Sequence, residues 1–171
     1  ISTSHEYFTS SGFDATTDTG EVTPEKKPDA DPWEKSLTTF ATGYNSASST
    51  FNLSYRNLQQ TTAIDAAAYK DEDNYTLDYN RQLVSTEFSH LFREHWRLSG
   101  NAGWTATKRI ALNDSSYSSA TGLSDGTWSK DRYDGRQFTT DLLLNYQPDE
   151  RISLTGGISL LTESMEQQNE Y

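Results

Sequence analysis

Residues 136–163 alternate apolar and polar side chains with a period of two on both sides of a short polar break. Phe138, Thr140, Leu142, Leu144 and Tyr146 share one phase before the break, and Ile152, Leu154, Gly156, Ile158 and Leu160 share one after it. Gln137, Thr139, Asp141, Asn145, Ser153, Thr155 and Ser159 fill the opposite phase, and Gln147-Pro148-Asp149-Glu150 supplies the turn. This pattern predicts two antiparallel strands. Each is about ten residues or more, beyond the roughly five or six of a typical globular strand. A strand of roughly 9–11 residues is the length that crosses a bilayer.

Composition narrows the alternatives. A chain of 171 residues ordinarily makes one domain or part of a larger one. This one begins at Ile1 and ends at Tyr171, just past a strand, and is read as an excised segment. Apolar residues make up only 33% and mean hydropathy is −0.82, against about 45–50% apolar, glycine included, in soluble domains. A water-soluble core is hard to build from that. Two accounts remain: disorder, or a barrel with a polar inner face and a thin apolar outer band. An aromatic content of 12%, with ten Tyr and four Trp, argues against disorder. A net charge of −11 argues against a nucleic-acid surface, which needs a basic stripe to neutralise phosphates. The absence of Cys excludes disulfides and thiolate metal sites. No apolar run approaches 18 residues, so spanning by helices is excluded. No signal peptide is visible, and a targeting segment is expected upstream of Ile1.

The remaining strands follow from the same alternation. Residues 1–9 read as a strand ending at Ser11-Gly12-Phe13-Asp14, followed by a polar loop over 14–32 with Pro24, Pro28 and Pro32. A strand over 34–44 has Phe40 and Tyr44 in one phase and Leu37 and Ala41 in the other, which leaves its facing open. Asn45-Ser46-Ala47-Ser48 is a short turn, and residues 50–63 form a strand with Phe51, Leu53 and Tyr55 opposite Asn52, Ser54 and Arg56. A second acidic loop covers 65–73. In the fourth strand, 74–91, Leu77 and Tyr79 share one phase and Val84 and Phe88 the other, so a β-bulge is expected near Leu83. Phe92-Arg93-Glu94-His95 turns the chain into a strand over 96–112, with Trp96, Leu98, Ala102, Trp104 and Ala106 on one face. A third long loop, 113–132, precedes the pair described first.

The result is an all-β, antiparallel up-and-down meander of about seven strands. Its connections alternate long and short; the long ones are hydrophilic, the first two acidic. A soluble sandwich has no reason to sort its loops this way. A membrane barrel does, with short turns on the periplasmic side and long loops outside. Tyr44, Phe51, Phe92, Trp96 and Tyr146 cluster near the short turns, at the depth where an interfacial aromatic girdle belongs.

On these residues the chain resembles the barrel of TonB-dependent outer-membrane receptors, and within that group the vitamin B12 (cobalamin) transporters. The resemblance covers essentially the whole chain. It is carried by Ser11-Gly12-Phe13-Asp14, Asp29-Ala30-Asp31-Pro32, Tyr75-Thr76-Leu77-Asp78-Tyr79, Tyr133-Asp134-Gly135-Arg136 and Leu154-Thr155-Gly156-Gly157. It implies that residues 1–171 are part of a larger transmembrane barrel of about 22 strands, with a plug domain, a TonB box and a C-terminal strand outside this chain. The implied location is the bacterial outer membrane. The implied partners are outer-membrane lipid, the TonB complex acting through the plug, and a small ligand such as cobalamin or a metal chelate. The resemblance also implies calcium ions held by loop carboxylates, matching Asp14, Asp29, Asp31, Asp65 and, more loosely, Asp73. Such ions take six to eight oxygens at flexible geometry. Here the sequence departs from the pattern by placing Pro32 after the pair and inserting Glu25-Lys26-Lys27. The competing reading of these acidic residues is a solvated outer face.

His5, His90 and His95 lack metal-ligand spacing. No nucleophile elbow or triad is present, so catalysis is not expected. Arg56, Arg97 and Asp141 are expected on the lumen side, and Trp33, Tyr69, Tyr117 and Trp128 in outer loops. The expected function is nutrient uptake by a TonB-dependent receptor. A siderophore or haem receptor, a plug-free porin, and a structural or adhesive β-protein without a transport role stand as rivals.

Overall fold

A computed structural model describes residues 1–12, 31–64, 75–114 and 128–171. Seven strands run in chain order: β1 (Ser2–Ser10), β2 (Trp33–Asn45), β3 (Ser49–Ala63), β4 (Tyr75–Phe92), β5 (Trp96–Asn113), β6 (Ser129–Tyr146) and β7 (Leu154–Glu170). They pair strictly with their sequence neighbours in one antiparallel sheet, so β1 and β7 are its two edges. No helix occurs among the described residues. The meander expected from alternation is therefore present, and it is open.

The register sorts side chains onto two unlike faces, because cross-strand partners share a face and the period along a strand is two. One face carries a band of apolar rows at the short-turn end. Its lowest row is Phe92–Trp96–Tyr146–Leu154, its middle row Tyr44–Phe51–Phe88–Gly100–Leu142–Ile158, and its highest Phe40–Tyr55–Val84–Trp104–Phe138. From Tyr146 to Phe138 is eight residues, or about 27 Å at roughly 3.4 Å per residue. Aromatic side chains bound the band above and below. At the lower edge Trp96 and Tyr146 lie 4.5 Å apart between ring centroids and Phe92 and Trp96 6.3 Å apart.

Higher up, the same face turns polar: His5–Thr38–Asn57–Gln82–Ala106–Arg136–Ser164 is the next row, and Tyr7–Ser36–Gln59–Asn80–Lys108–Asp134–Glu166 the one above it. The other face behaves oppositely. At band level it presents Asn52, Ser54, Ser85, Glu87, Asn101 and Asp141, and farther up it gains Leu77, Tyr79 and Tyr133.

This exchange of polarity removes the bulge expected near Leu83. Strand β4 pairs without interruption with both neighbours, Arg56 opposite Leu83 and Tyr55 opposite Val84, then Thr105 and Trp104 on the far side. Leu77 and Tyr79 simply occupy one face, Val84 and Phe88 the other. The open facing of the second strand also resolves: Phe40 and Tyr44 belong to the band, Leu37 and Ala41 to the opposite face.

Little of this is packed as a globular core. Ala111 is the buried apolar residue among the described ones, while Trp104, Phe138, Leu142 and Leu144 stay 37–39% exposed and Ile158 72%. Two hydroxyls inside the band are nonetheless satisfied by the backbone. Thr86 Oγ1 donates to the Asn52 carbonyl at 3.0 Å and Thr140 Oγ1 to the Asn101 carbonyl at 2.9 Å.

The turns at the band end are short. Residues 46–48 are closed by Ser46, whose N–H donates to the Ser49 carbonyl at 2.8 Å and whose Oγ accepts from Ser49 N at 3.0 Å. Residues 93–95 turn through Arg93 at φ 60°. The last turn is longer than expected, 147–153, because Asp149 Oδ1 accepts from the N–H groups of both Arg151 (2.8 Å) and Ile152 (3.0 Å). Ile152 thus lies outside the strand, which begins at Leu154.

Candidate functional site

Polar side chains concentrate on the face opposite the band, which suits them to contact a solute. Near the short turns Asn145 Nδ2 donates to Ser153 Oγ and Thr155 Oγ1. Asp141 accepts from Ser159 Oγ, and Ser54 and Ser85 hydroxyls meet at 2.6 Å. Arg56, Arg97 and Asp141 all fall on this face, as the alternation predicted.

Toward the long-loop end, one row of this face alternates aromatic and cationic groups: Phe8–Lys35–Gln60–Tyr79–Arg109–Tyr133–Gln167. Lys35 Nζ lies 5.9 Å from the Phe8 ring centroid and the Arg109 guanidinium 5.6 Å from that of Tyr133. Such geometry attracts a cation to the ring's negative face. The Tyr133 hydroxyl accepts from Gln167 Nε2 at 3.2 Å. Below this row a hollow of about 380 Å³ is lined by Arg81, Thr105, Thr107, Gly135, Gln137 and Glu163, among others. Gln137 Nε2 donates to Glu163 Oε1 across it at 2.6 Å. A second hollow, of about 500 Å³, lies nearer β1 among Ser2, Ala41, Gly43, Asn52, Ser54 and Glu87.

The opposite face carries an ion pair between Arg132 and Asp134 above the band. The hydrogen bond that Arg132 Nε donates to the Asp134 carboxylate, reinforced by that group's charge, holds the Arg132 guanidinium protonated above its ordinary range.

Of the carboxylates matched to calcium ligands, Asp14, Asp29, Asp65 and Asp73 lie outside the described residues, as do Tyr69 and Tyr117. Asp31 is placed directly against Gly12. A Cβ on Gly12 would clash with the Asp31 carbonyl oxygen, and Gly12 adopts φ +76°, a conformation that favours glycine. The described ends of the two motifs, Gly12 and Asp31, thus lie against each other. Among the described residues no three His, Asp or Glu side chains are grouped to hold a metal ion. His5 and His90 bond instead to Thr38 and Ser49 hydroxyls, at 3.0 and 2.7 Å. Trp33 begins β2 rather than sitting in a loop, and Trp128 lies immediately before β6.

The sequence alone does not single out Lys35, Arg81 or Arg109, and Tyr79 and Tyr133 stand in it only through strand phase and the motifs that carry the resemblance. Strand phase relates Arg81 to Tyr79 and Arg109 to Arg97, but only the register sets them beside one another.

No family model matches the chain, and comparison with curated proteins and with solved structures likewise found no match.

Proposed function

We propose that this chain forms part of the wall of a bacterial outer-membrane transport barrel, a TonB-dependent receptor of the kind that takes up a scarce nutrient, with cobalamin the favoured substrate. The observation that carries the reading is the band. A lipid-facing barrel surface requires an apolar stripe about 25 Å tall between two aromatic girdles; the band here runs about 27 Å along its strands at roughly 3.4 Å per residue, or about 20 Å in height at the usual strand tilt of about 35–45°. The hydroxyls of Thr86 and Thr140 bond to backbone carbonyls, as suits polar atoms facing hydrocarbon. The opposite face then lines a wet interior, and strands beyond β1 and β7 close the sheet, since an open edge does not occur in hydrocarbon.

In this reading the long loops and the polar wall capture the ligand, and a plug coupled to TonB releases it inward. Loop carboxylates including Asp14, Asp29, Asp31, Asp65 and Asp73 bind calcium and order the entrance. No chemical step is involved. Fractionation of the full-length protein tests the reading. It should remain with outer membranes after alkaline and high-salt washes, and carry about 130 residues of plug with a TonB box upstream of the barrel (a size the resemblance implies). A membrane-embedded product without a plug would indicate a porin; a product released by the washes would indicate a soluble or adhesive β-protein.

A further inference from the structure

We propose that the polar face holds an anion-binding wall for a small phosphate- or carboxylate-bearing solute, centred on Arg81 with Arg56 and Arg109 on either side. The proposal rests on the barrel reading in taking this face as the inner one.

The register sets the three arginines on one diagonal. Arg56 stands opposite Leu83 on β4, and Arg81 is two residues from Leu83 on the same face. Arg81 stands opposite Thr107 on β5, and Arg109 is two residues from Thr107. Diagonal neighbours of this kind lie on the order of 7–8 Å apart. All three side chains are exposed. Across β3, β4 and β5, this face from Arg56 up to Thr62 carries Leu58, Gln60, Leu77, Tyr79, Leu83, Thr105, Thr107 and Ala111, and not one carboxylate.

In a chain of net charge −11 such a patch is the exception. Like charges this close repel, and a carboxylate on a neighbouring strand would relieve them at no cost in length. The nearest acids on this face are Glu87, lower on β4 beyond Leu83, Glu6 on β1, Asp131 on β6 and Glu163 on β7, the last at the rim of the hollow beside Arg81. Glu163 is engaged by Gln137. Asp131 is diagonal to Arg109, yet that guanidinium lies over Tyr133. Stacking in this way leaves the edge of an arginine free, and that edge is a planar fork suited to phosphate or carboxylate oxygens.

Space for the solute is present beside Arg81. The hollow there has the Thr105 and Thr107 side chains on one wall, and Gly135 opens its floor. A Cβ at Gly135 would find nothing closer than the Thr107 carbonyl oxygen at 4.0 Å. Glycine is therefore not needed for packing at this position, and its missing side chain keeps the hollow open.

The test uses the full-length protein in detergent, purified from whichever fraction retains it, titrated calorimetrically with glycerol 2-phosphate and with glycerol. Glycerol 2-phosphate should bind and glycerol should not. Arg81→Gln and, independently, Gly135→Leu should each weaken binding about tenfold or more, the scale of one charge-assisted hydrogen bond. Arg132→Gln, on the opposite face, should leave it unchanged. Absence of binding by a protein that fractionates with outer membranes, or affinity unchanged from that of the unmodified protein in Arg81→Gln and Gly135→Leu, overturns the anion wall and leaves the barrel reading standing. A protein released from membranes overturns both.

Discussion

Phe88 and Gly100 face each other across β4 and β5 in the middle of the apolar band, and the ring occupies the space a side chain at 100 would need. A Cβ there would stand 2.8 Å from Phe88 Cε1 and 2.7 Å from the Asp141 carbonyl oxygen. Gly100→Val should therefore destabilise the folded sheet by about 1–3 kcal/mol, the usual range for forced overpacking. Gly156 lies on the same face with nothing within 4 Å of its added Cβ, and Gly156→Val should cost much less. Urea unfolding of both variants in lipid vesicles gives the comparison.

Adjacent residues on β6 should respond in opposite ways to the same charge. Leu142 lies in the central row of the band, level with Phe51 and Ile158, whereas Asp141 points to the polar face. Leu142→Arg should cost roughly 2–4 kcal/mol near the bilayer midplane. Asp141→Arg should lose mainly its hydrogen bond to Ser159. Equal losses in the two unfolding curves would reverse or abolish the assignment of faces.

Two tryptophans mark the limits of the band. Trp96 and Trp104 stand in its lowest and highest rows, about 27 Å apart along β5 at roughly 3.4 Å per residue. In single-tryptophan variants reconstituted into vesicles, quenchers placed in one leaflet should dim one of the two and spare the other. Trp33 and Trp128, at the long-loop end, should respond to aqueous quenchers instead. Identical quenching of all four from the aqueous phase would count against burial of the band in lipid.

If the loop carboxylates hold calcium, the ion should protect the first two long loops of the full-length protein. Asp14, Asp29, Asp31 and Asp65 are the expected ligands, with Asp73 a looser one, and addition of calcium should slow protease cleavage within 13–30 and 65–74. Chelation should restore it. Unaltered cleavage across the titration would remove the calcium site while leaving the barrel untouched.

Strand order and most strand limits were legible in the sequence because alternation survives wherever one face is apolar and the other polar. The Phe138–Leu144 and Phe51–Tyr55 stretches are such cases. Where the faces exchange polarity, alternation changes phase, and in β4 that change between Tyr79 and Val84 imitates a bulge that the continuous pairing excludes. The upper part of β6 was hidden for a related reason. Ser129, Lys130, Asp131 and Arg132 are polar on both faces and read as loop, yet they pair with β5. The arginine diagonal could not be seen at all, since Arg56, Arg81 and Arg109 become neighbours only through register. Of the carboxylates, Asp31 alone is placed, against Gly12, a contact that follows from the positive φ of a glycine ending a strand.

The exchange of polarity halfway up the sheet has a mechanical consequence in a bilayer. Strands β4, β5 and β6 are 18 residues long, and the band takes up only the half next to the short turns. Sliding the sheet down by one row would push Arg136, Gln82 and Asn57 into oil; sliding it up would lift the Tyr55–Trp104–Phe138 row out of its interface into water. Resistance grows in both directions, so the wall carries its own waterline. In that setting the upper half of the strands would stand clear of the lipid as a collar.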